Sequence, residues 1–208
     1  MGHGQRQEDG NAGLGFLYYA LARILRPSSA VVIGSYRGFS PAILGRAMLD
    51  NTEDGTLHFI DPSMADNFWQ DPTAVKQHFE KLGTPNVRHF HGTTQEFVQT
   101  DTYLDLSDLG LVMIDGMHTA EQARFDYCSF VDKLSDEAVV MFHDSLIVRE
   151  SKIYGAENGY MHTVKLFVDR LRDTPGLEVF SLSLGGGISL VRGKPTNIDH
   201  LQAPFEQP

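Results

Sequence analysis

Five times along this chain a short apolar run ends in a glycine, an acid or a histidine and gives way to residues with helical spacing. The runs are Ala30–Ile33 before Gly34, Leu57–Ile60 before Asp61, Val87–His91 before Gly92, Leu109–Ile114 before Asp115, and Ala138–Phe142 before His143 and Asp144. Strands separated by helices cannot pair as hairpins; they line up in parallel and the helices cover the faces of the sheet. The run at 109–114 is apolar at nearly every position, as expected of a strand buried on both sides.

The intervening segments carry their own punctuation. Leu14, Leu17, Leu21, Ile24 and Leu25 recur at helical spacing before Pro27, so an amphipathic helix precedes the first strand. Ser40-Pro41 reads as an N-cap and first-turn proline for a helix through about Leu49, and Asp71-Pro72 does the same for a helix ending near Gly83. A short helix is expected over 94–98, and Thr119 with Gln122 caps another that runs to Leu134. After a helix over 163–172 the rhythm changes. Leu177–Leu184 and Ile188–Val191 are strand-like and separated only by Gly185-Gly186-Gly187, too short for a crossover, so they form a hairpin. The expected fold class is α/β, a three-layer sandwich around a mostly parallel seven-stranded sheet with one antiparallel strand supplied by the C-terminal hairpin.

Charge narrows the partners. Seventeen Lys and Arg against twenty-seven Asp and Glu give a formal net charge of -10, which repels phosphate backbones and anionic membranes, so neither nucleic acid nor a membrane is an expected partner. No run of apolar residues is long enough to span a bilayer, and the polar lead over residues 1–13, expected to be flexible, lacks the apolar stretch of a signal peptide. Arg6 stands where a myristoylation signal has Ser or Thr. Cys128 is the lone cysteine and cannot close an internal disulfide. A cytoplasmic protein is the expectation.

In an open parallel sheet, ligands bind beyond the carboxyl ends of the strands. The residues there are Gly34–Gly38, Asp61, Gly92, Asp115–His118 and His143–Ser145. A glycine loop after the first strand lets a nucleoside approach the backbone, and an acid after the second accepts both ribose hydroxyls. Gly34, Gly38 and Asp61 suit those roles; equally, the glycines serve tight turns and Asp61, before Pro62, caps one. Asp115 and Asp144, at the ends of the fourth and fifth strands, face one crevice and repel. Either one is protonated, or an arginine, a solvated crevice or a divalent metal compensates, and an oxygen-rich site favours magnesium, calcium or manganese over zinc. His143 and Ser145 flank that pair. His118, on the turn before a helix, is placed to take a proton from a substrate hydroxyl. Structural or solvated roles are expected for His58, His78, His89, His91 and His162, a core-filling role for Cys128, and a small hydrophobic cluster for Trp69. Arg37 either touches an anionic ligand group or is an exposed loop residue.

Three of these segments resemble one family. Ile33-Gly34-Ser35-Tyr36-Arg37-Gly38-Phe39-Ser40 resembles the cofactor loop of Rossmann-like, seven-stranded S-adenosylmethionine-dependent methyltransferases, in the branch of the macrolide-sugar O-methyltransferases and cephalosporin hydroxylase-like proteins. Ile114-Asp115-Gly116-Met117-His118 and Phe142-His143-Asp144-Ser145 resemble that branch's fourth- and fifth-strand signatures. The resemblance spans residues 28–192 and implies one methyltransferase-like domain over 14–208. It implies that Gly34, Ser35 and Gly38 line the methionine and ribose end of the cofactor and that Asp61 holds the ribose, with Tyr36, Gly92 and Asp115 completing the contacts. It implies a metal, Mg2+ or another divalent ion, on Asp115 and Asp144 with His143 beside them, and His118 as base alongside Asp115 in the catalytic pair. Two departures stand out. Val32 occupies the position of an acid that helps organise the cofactor's ammonium end, and His143 replaces a second metal-binding acid.

The expected activity is methylation of a hydroxyl on a small molecule, with metal assistance. A nicotinamide-dependent oxidoreductase shares the strand, loop and ribose-acid logic but not the spacing of this glycine loop, G-S-Y-R-G. A cofactor-binding scaffold without turnover is the third reading, motivated by Val32. The segment from Ile147 to Gly159, with Tyr154 and Tyr160, is the candidate acceptor loop, and the first helix covers either this pocket or that of a second copy in a homo-oligomer.

Overall fold

The computed structural model describes residues 13–51, 54–64, 67–152 and 155–205; the polar lead apart from Gly13, and Tyr154, lie outside them. In chain order the elements are α1 (Leu14–Leu25), β1 (Ser29–Ile33), α2 (Phe39–Leu49), β2 (Thr56–Ile60), α3 (Pro72–Lys81), β3 (Val87–Phe90), α4 (Thr94–Phe97), α5 (Asp101–Asp105), β4 (Leu109–Ile114), α6 (Ala120–Phe130), β5 (Leu134–His143), β6 (Arg149–Ser151), β7 (Tyr160–His162), α7 (Val164–Arg172), β8 (Leu177–Leu182) and β9 (Ile188–Gly193). Seven strands form one sheet in the order β3-β2-β1-β4-β5-β9-β8. The first five are parallel, and β9 runs antiparallel to both β5 and β8. Strands β6 and β7 make a separate antiparallel ribbon.

Alternation along each strand explains the continuous apolar runs. Ala30 and Val32 of β1, with Leu111 and Met113 of β4 and Val139 and Met141 of β5, belong to the core under α1, α2 and α3. Their neighbours Val31, Ile33, Val112, Ile114, Val140 and Phe142 belong to the core under α6 and α7. Period-two geometry sends successive side chains to opposite faces, and helices on both faces bury both sets. Val32 is fully buried there as part of the apolar core. Cys128 packs partly buried against the second of these cores, as expected of a filler. Among the described residues no helix is long and apolar enough to cross a membrane.

Several boundaries differ from the sequence expectation. Helix α2 starts at Phe39 behind Gly38, whose φ of 76° turns the chain directly into the helix; Ser40 lies within the helix, and its N–H donates to Ser35 Oγ at 3.2 Å. Helix α6 ends at Phe130, followed by a short 3-10 turn over Val131–Lys133. Strand β5 begins at Leu134, four residues earlier than its apolar run, because Ser135, Asp136 and Glu137 extend it as a polar edge past a bulge in the pairing with β4. Helix α1 buries Leu14, Tyr18 and Ala22, while Ile24 faces solvent.

Candidate active site

Register sets the site. Ile60, Ile33, Ile114 and Phe142 are successive partners across β2, β1, β4 and β5, so the residues that follow them, Asp61, Gly34, Asp115 and His143, emerge side by side at the carboxyl edge. The ladder carries into the loops: Gly34 N–H donates to Ile60 O at 2.8 Å, and Asp115 N–H to Ile33 O at 2.8 Å. Because β1 is flanked by β2 on one side and β4 on the other, with chain connections leaving in opposite directions, this edge is the switch point at which an open α/β sheet forms its crevice.

The β1 and β2 loops are tied together by Asp61. Its Oδ2 accepts from Ser35 N–H at 3.2 Å and its Oδ1 from Ser63 N–H at 2.7 Å. Burial pushes this carboxyl above its usual range, against the pull of those two backbone groups. Asp61 caps the turn, as one reading expected, and it stands at the carboxyl edge of β2 beside the β1 loop. Gly34, at φ 71°, lies so close to the β4 loop that a Cβ would fall 2.3 Å from Asp115 O, and a Cβ on Gly38 would fall 2.7 Å from Trp69. The loop glycines are therefore demanded by protein packing. Tyr36 and Ser63 adopt positive φ without being glycine, a concentration of strain at the loops that face the crevice. Trp69 is the buried hub of an aromatic cluster with Phe59, Phe68, His78, Phe79 and His89, and its Nε1–H donates to Tyr36 O at 2.9 Å, fastening the loop from below. Arg37 lies over the rings of Tyr36 and Phe68. Gly92 is buried behind Phe90 and Glu96, just before the capping box of α4.

Across the crevice, His143, rather than Asp144, is the direct neighbour of Asp115. Its Nδ1 lies 3.1 Å from Asp115 Oδ1 and 3.6 Å from Asp144 Oδ1. Burial alone would depress this imidazole, but the carboxylates of Asp115 and Asp144 outweigh it and raise its pKa to about 9. Asp144, at φ 50°, turns its side chain back into the crevice, where Arg149 Nη2 donates to Oδ2 at 2.8 Å and His162 Nδ1 lies 3.5 Å away. Burial would raise the Asp144 carboxyl, but His162, His143, His118 and Arg149 together hold it well below the usual carboxylate range. A protonated imidazole and a guanidinium thus compensate the two acids.

His118 lies with its Nε2 3.8 Å from Asp115 Oδ1. Burial lowers its pKa to about 4 despite Asp115 and Asp144, so the ring is neutral at physiological pH. Thr163 holds this turn from the far side: its N–H donates to His118 O at 2.8 Å, and its Oγ1 accepts from Ala120 N–H at 2.9 Å. His162, expected in a structural or solvated role, stacks on His118 at 4.5 Å between ring centroids. Arg149 carries no comparable signal in the sequence. Both reach the crevice on the β6–β7 ribbon, within and just beyond the segment identified as the acceptor loop. Gly186 was read as part of a turn alone, yet a Cβ there would fall 1.9 Å from Asp144 Oδ1. From α1, Tyr18 is buried, and burial together with the charges of Asp115 and Asp144 raises its phenol far above the usual value, which sets this helix over the chain's own crevice.

Among the described residues two sets of three donors come within 4.8 Å of one another: Asp115, His118 and His143, and His118, Asp144 and His162. The expected trio of Asp115, Asp144 and His143 is not one of them, because the two acids lie on either side of the imidazole. Both sets contain two imidazoles.

No curated protein matches the chain in sequence. Similar folds include the S-adenosylhomocysteine-bound Podospora anserina methyltransferase PaMTH1, 15% identical with a TM-score of 0.64 over 87% of this chain and 78% of that one. The O-methyltransferase TomG of Streptomyces achromogenes, involved in tomaymycin synthesis and complexed with S-adenosylmethionine, is 16% identical with a TM-score of 0.64 over 88% and 80%. The Bacillus cereus O-methyltransferase, in complex with S-adenosylhomocysteine, is 13% identical with a TM-score of 0.66 over 87% and 80%. The sequence profile of the family described as "Methyltransferase domain" matches residues 31–145, more than half of the chain, running from within β1 to just past Asp144 after β5. The strand order, the crevice at its switch point and this match agree that the chain belongs to the methyltransferase domain family.

Proposed function

We propose that the protein is an S-adenosylmethionine-dependent O-methyltransferase acting on a hydroxyl of a small molecule. The observation that carries this reading is the imidazole of His118 beside Asp115, at the carboxyl edge of β4 and next to the β1 loop. When bound at the β1–β2 loops, the cofactor supplies an electrophilic methyl group to the acceptor oxygen. Asp61, Ser35 and the backbone from Gly34 to Gly38 hold and orient it. His118 accepts the hydroxyl proton at Nε2, the nitrogen turned toward Asp115, whose carboxylate steadies the charge that appears on the ring. His143, held as a cation between Asp115 and Asp144, helps keep the Asp144 carboxyl ionised. Exposed Met117, Val148 and Met161, on the β4 loop, the β5 loop and the β6–β7 ribbon, offer apolar surface to the body of an acceptor.

Magnesium does not fit these residues. It requires a near-octahedral oxygen shell, whereas in this crevice each of the two acids has an imidazole as its close neighbour. The methyl transfer is therefore assigned to His118 and Asp115 without a magnesium-dependent step.

Isothermal titration with S-adenosylmethionine and S-adenosylhomocysteine tests the cofactor assignment, and absence of heat at millimolar ligand would overturn it. Transfer of a labelled methyl group across a panel of hydroxylated small molecules tests the reaction. His118→Ala is expected to lower kcat by about 10²–10⁴ with cofactor affinity preserved. An unchanged kcat would remove His118 from the role of base.

A further inference from the structure

The geometry points to a nitrogen-rich seat for a first-row transition cation on His118, Asp144 and His162. The observation behind it is His162, 3% exposed, whose two ring nitrogens are both buried without a hydrogen bond. Buried polar atoms are nearly always satisfied; Nδ1 has the Asp144 carboxylate nearby, but Nε2 has no hydrogen bond, and that atom calls for a partner from outside the chain. What faces this ring is the Asp144 carboxylate at 3.5 Å and the His118 ring stacked at 4.5 Å and 29°.

One donor atom from each of the three lies within 4.8 Å of the others, against roughly 3–4 Å between ligands that share an ion at about 2.1 Å. Closing that difference requires the side chain of His118, on the loop after β4, to rotate. Two imidazoles and one carboxylate suit zinc, cobalt, nickel or ferrous iron. Arg149 reaches Asp144 from a side chain that is half exposed and can withdraw to solvent when a cation takes its place. Ligation uses the same imidazole that accepts a proton in methyl transfer, so a bound cation of this class opposes that reaction. The seat itself does not depend on the reaction, since it rests on donor geometry alone.

The test is a cobalt titration of the full-length protein after chelator treatment, read by visible absorption and by equilibrium dialysis, neither of which needs a substrate. One cobalt per chain is expected, with an imidazole-ligand spectrum that persists in millimolar magnesium. His162→Gln is expected to weaken cobalt binding at least tenfold, and Asp115→Asn to leave it unchanged. Failure to bind cobalt, displacement by magnesium, or equal losses in Asp115→Asn and His162→Gln would overturn the assignment, the last by placing the ion on Asp115, His118 and His143. Should His162→Gln fail to fold, Arg149→Ala decides: tighter cobalt binding is expected once the competitor for Asp144 is gone, and unchanged or weaker binding refutes Asp144 as a ligand.

Discussion

Asp126 of α6 has no solvent exposure; its Oδ1 accepts from Gln122 Nε2 at 2.8 Å, while its Oδ2 has no partner. Burial raises its pKa to about 7, against hydrogen bonds from Thr94 and Gln122. The folded state therefore binds an extra proton between roughly pH 4 and 7, so this residue's contribution to stability falls as pH rises through that window and remains unfavourable above it. Asp126→Asn is expected to match the parent in urea unfolding near pH 4 and to exceed it at pH 8 by on the order of 3 kcal/mol. An equal stability at pH 8 would show that the carboxyl ionises without cost. Neither Asp126 nor His162 stood out in the sequence, for the same reason: a polar residue on an otherwise ordinary segment carries no periodic signal of its burial. Asp115 and His118 were legible because each follows an apolar strand by a few residues, where topology alone dictates the location. His143 was legible as a neighbour of the site but not as the bridge between its acids, since that required the register of β4 against β5.

The β6–β7 ribbon and the glycine turn before β9 show how elements were harder to read than strands. Each ribbon strand has three residues, too few for alternation to register, and Arg149-Glu150-Ser151 is polar throughout. The turn was recognised as a hairpin, but its proximity to the site depends on β9 inserting beside β5, so that Ser145 N–H donates to Gly187 O at 3.1 Å and Leu146 N–H to Gly186 O at 3.0 Å. Gly186→Ala is expected to push the Asp144 side chain aside, because the added methyl would sit 1.9 Å from its Oδ1. Displacements of this size in a positioned group lower turnover by as much as about 100-fold. Far-UV circular dichroism should be unchanged while methyl transfer falls; full activity would show that Asp144 has room to move. The five parallel strands were legible within a few residues at their carboxyl ends, where the apolar run stops abruptly, and less so where β5 begins on polar residues.

For the molecule as a whole, the crevice couples the electrostatics of two neighbouring strands to global stability. The folded pKa of His143 is raised to about 9 from an ordinary value of 6.5, so its ion pairs contribute fully below about pH 6.5 and are lost as pH rises through about 9. With divalent ions chelated, Tm is expected to decline between pH 7 and pH 10, and His143→Gln to flatten that decline; an identical slope in the variant would refute the bridge. The three-layer architecture was legible because helices and strands alternate, whereas the position of β9 between β5 and β8 was not, as no local pattern reports which edge a terminal hairpin joins. That insertion bears on the order in which the protein matures. Thr163, which clasps the His118 turn, and Gly186, which crowds Asp144, both follow β5 in the chain, and β9 closes the edge of β5 after every other described strand has been made. A nascent chain that has emerged only as far as β5 exposes an unpaired apolar edge and holds its acids and imidazoles without support, so chemical competence arrives late and all at once, with the final hairpin.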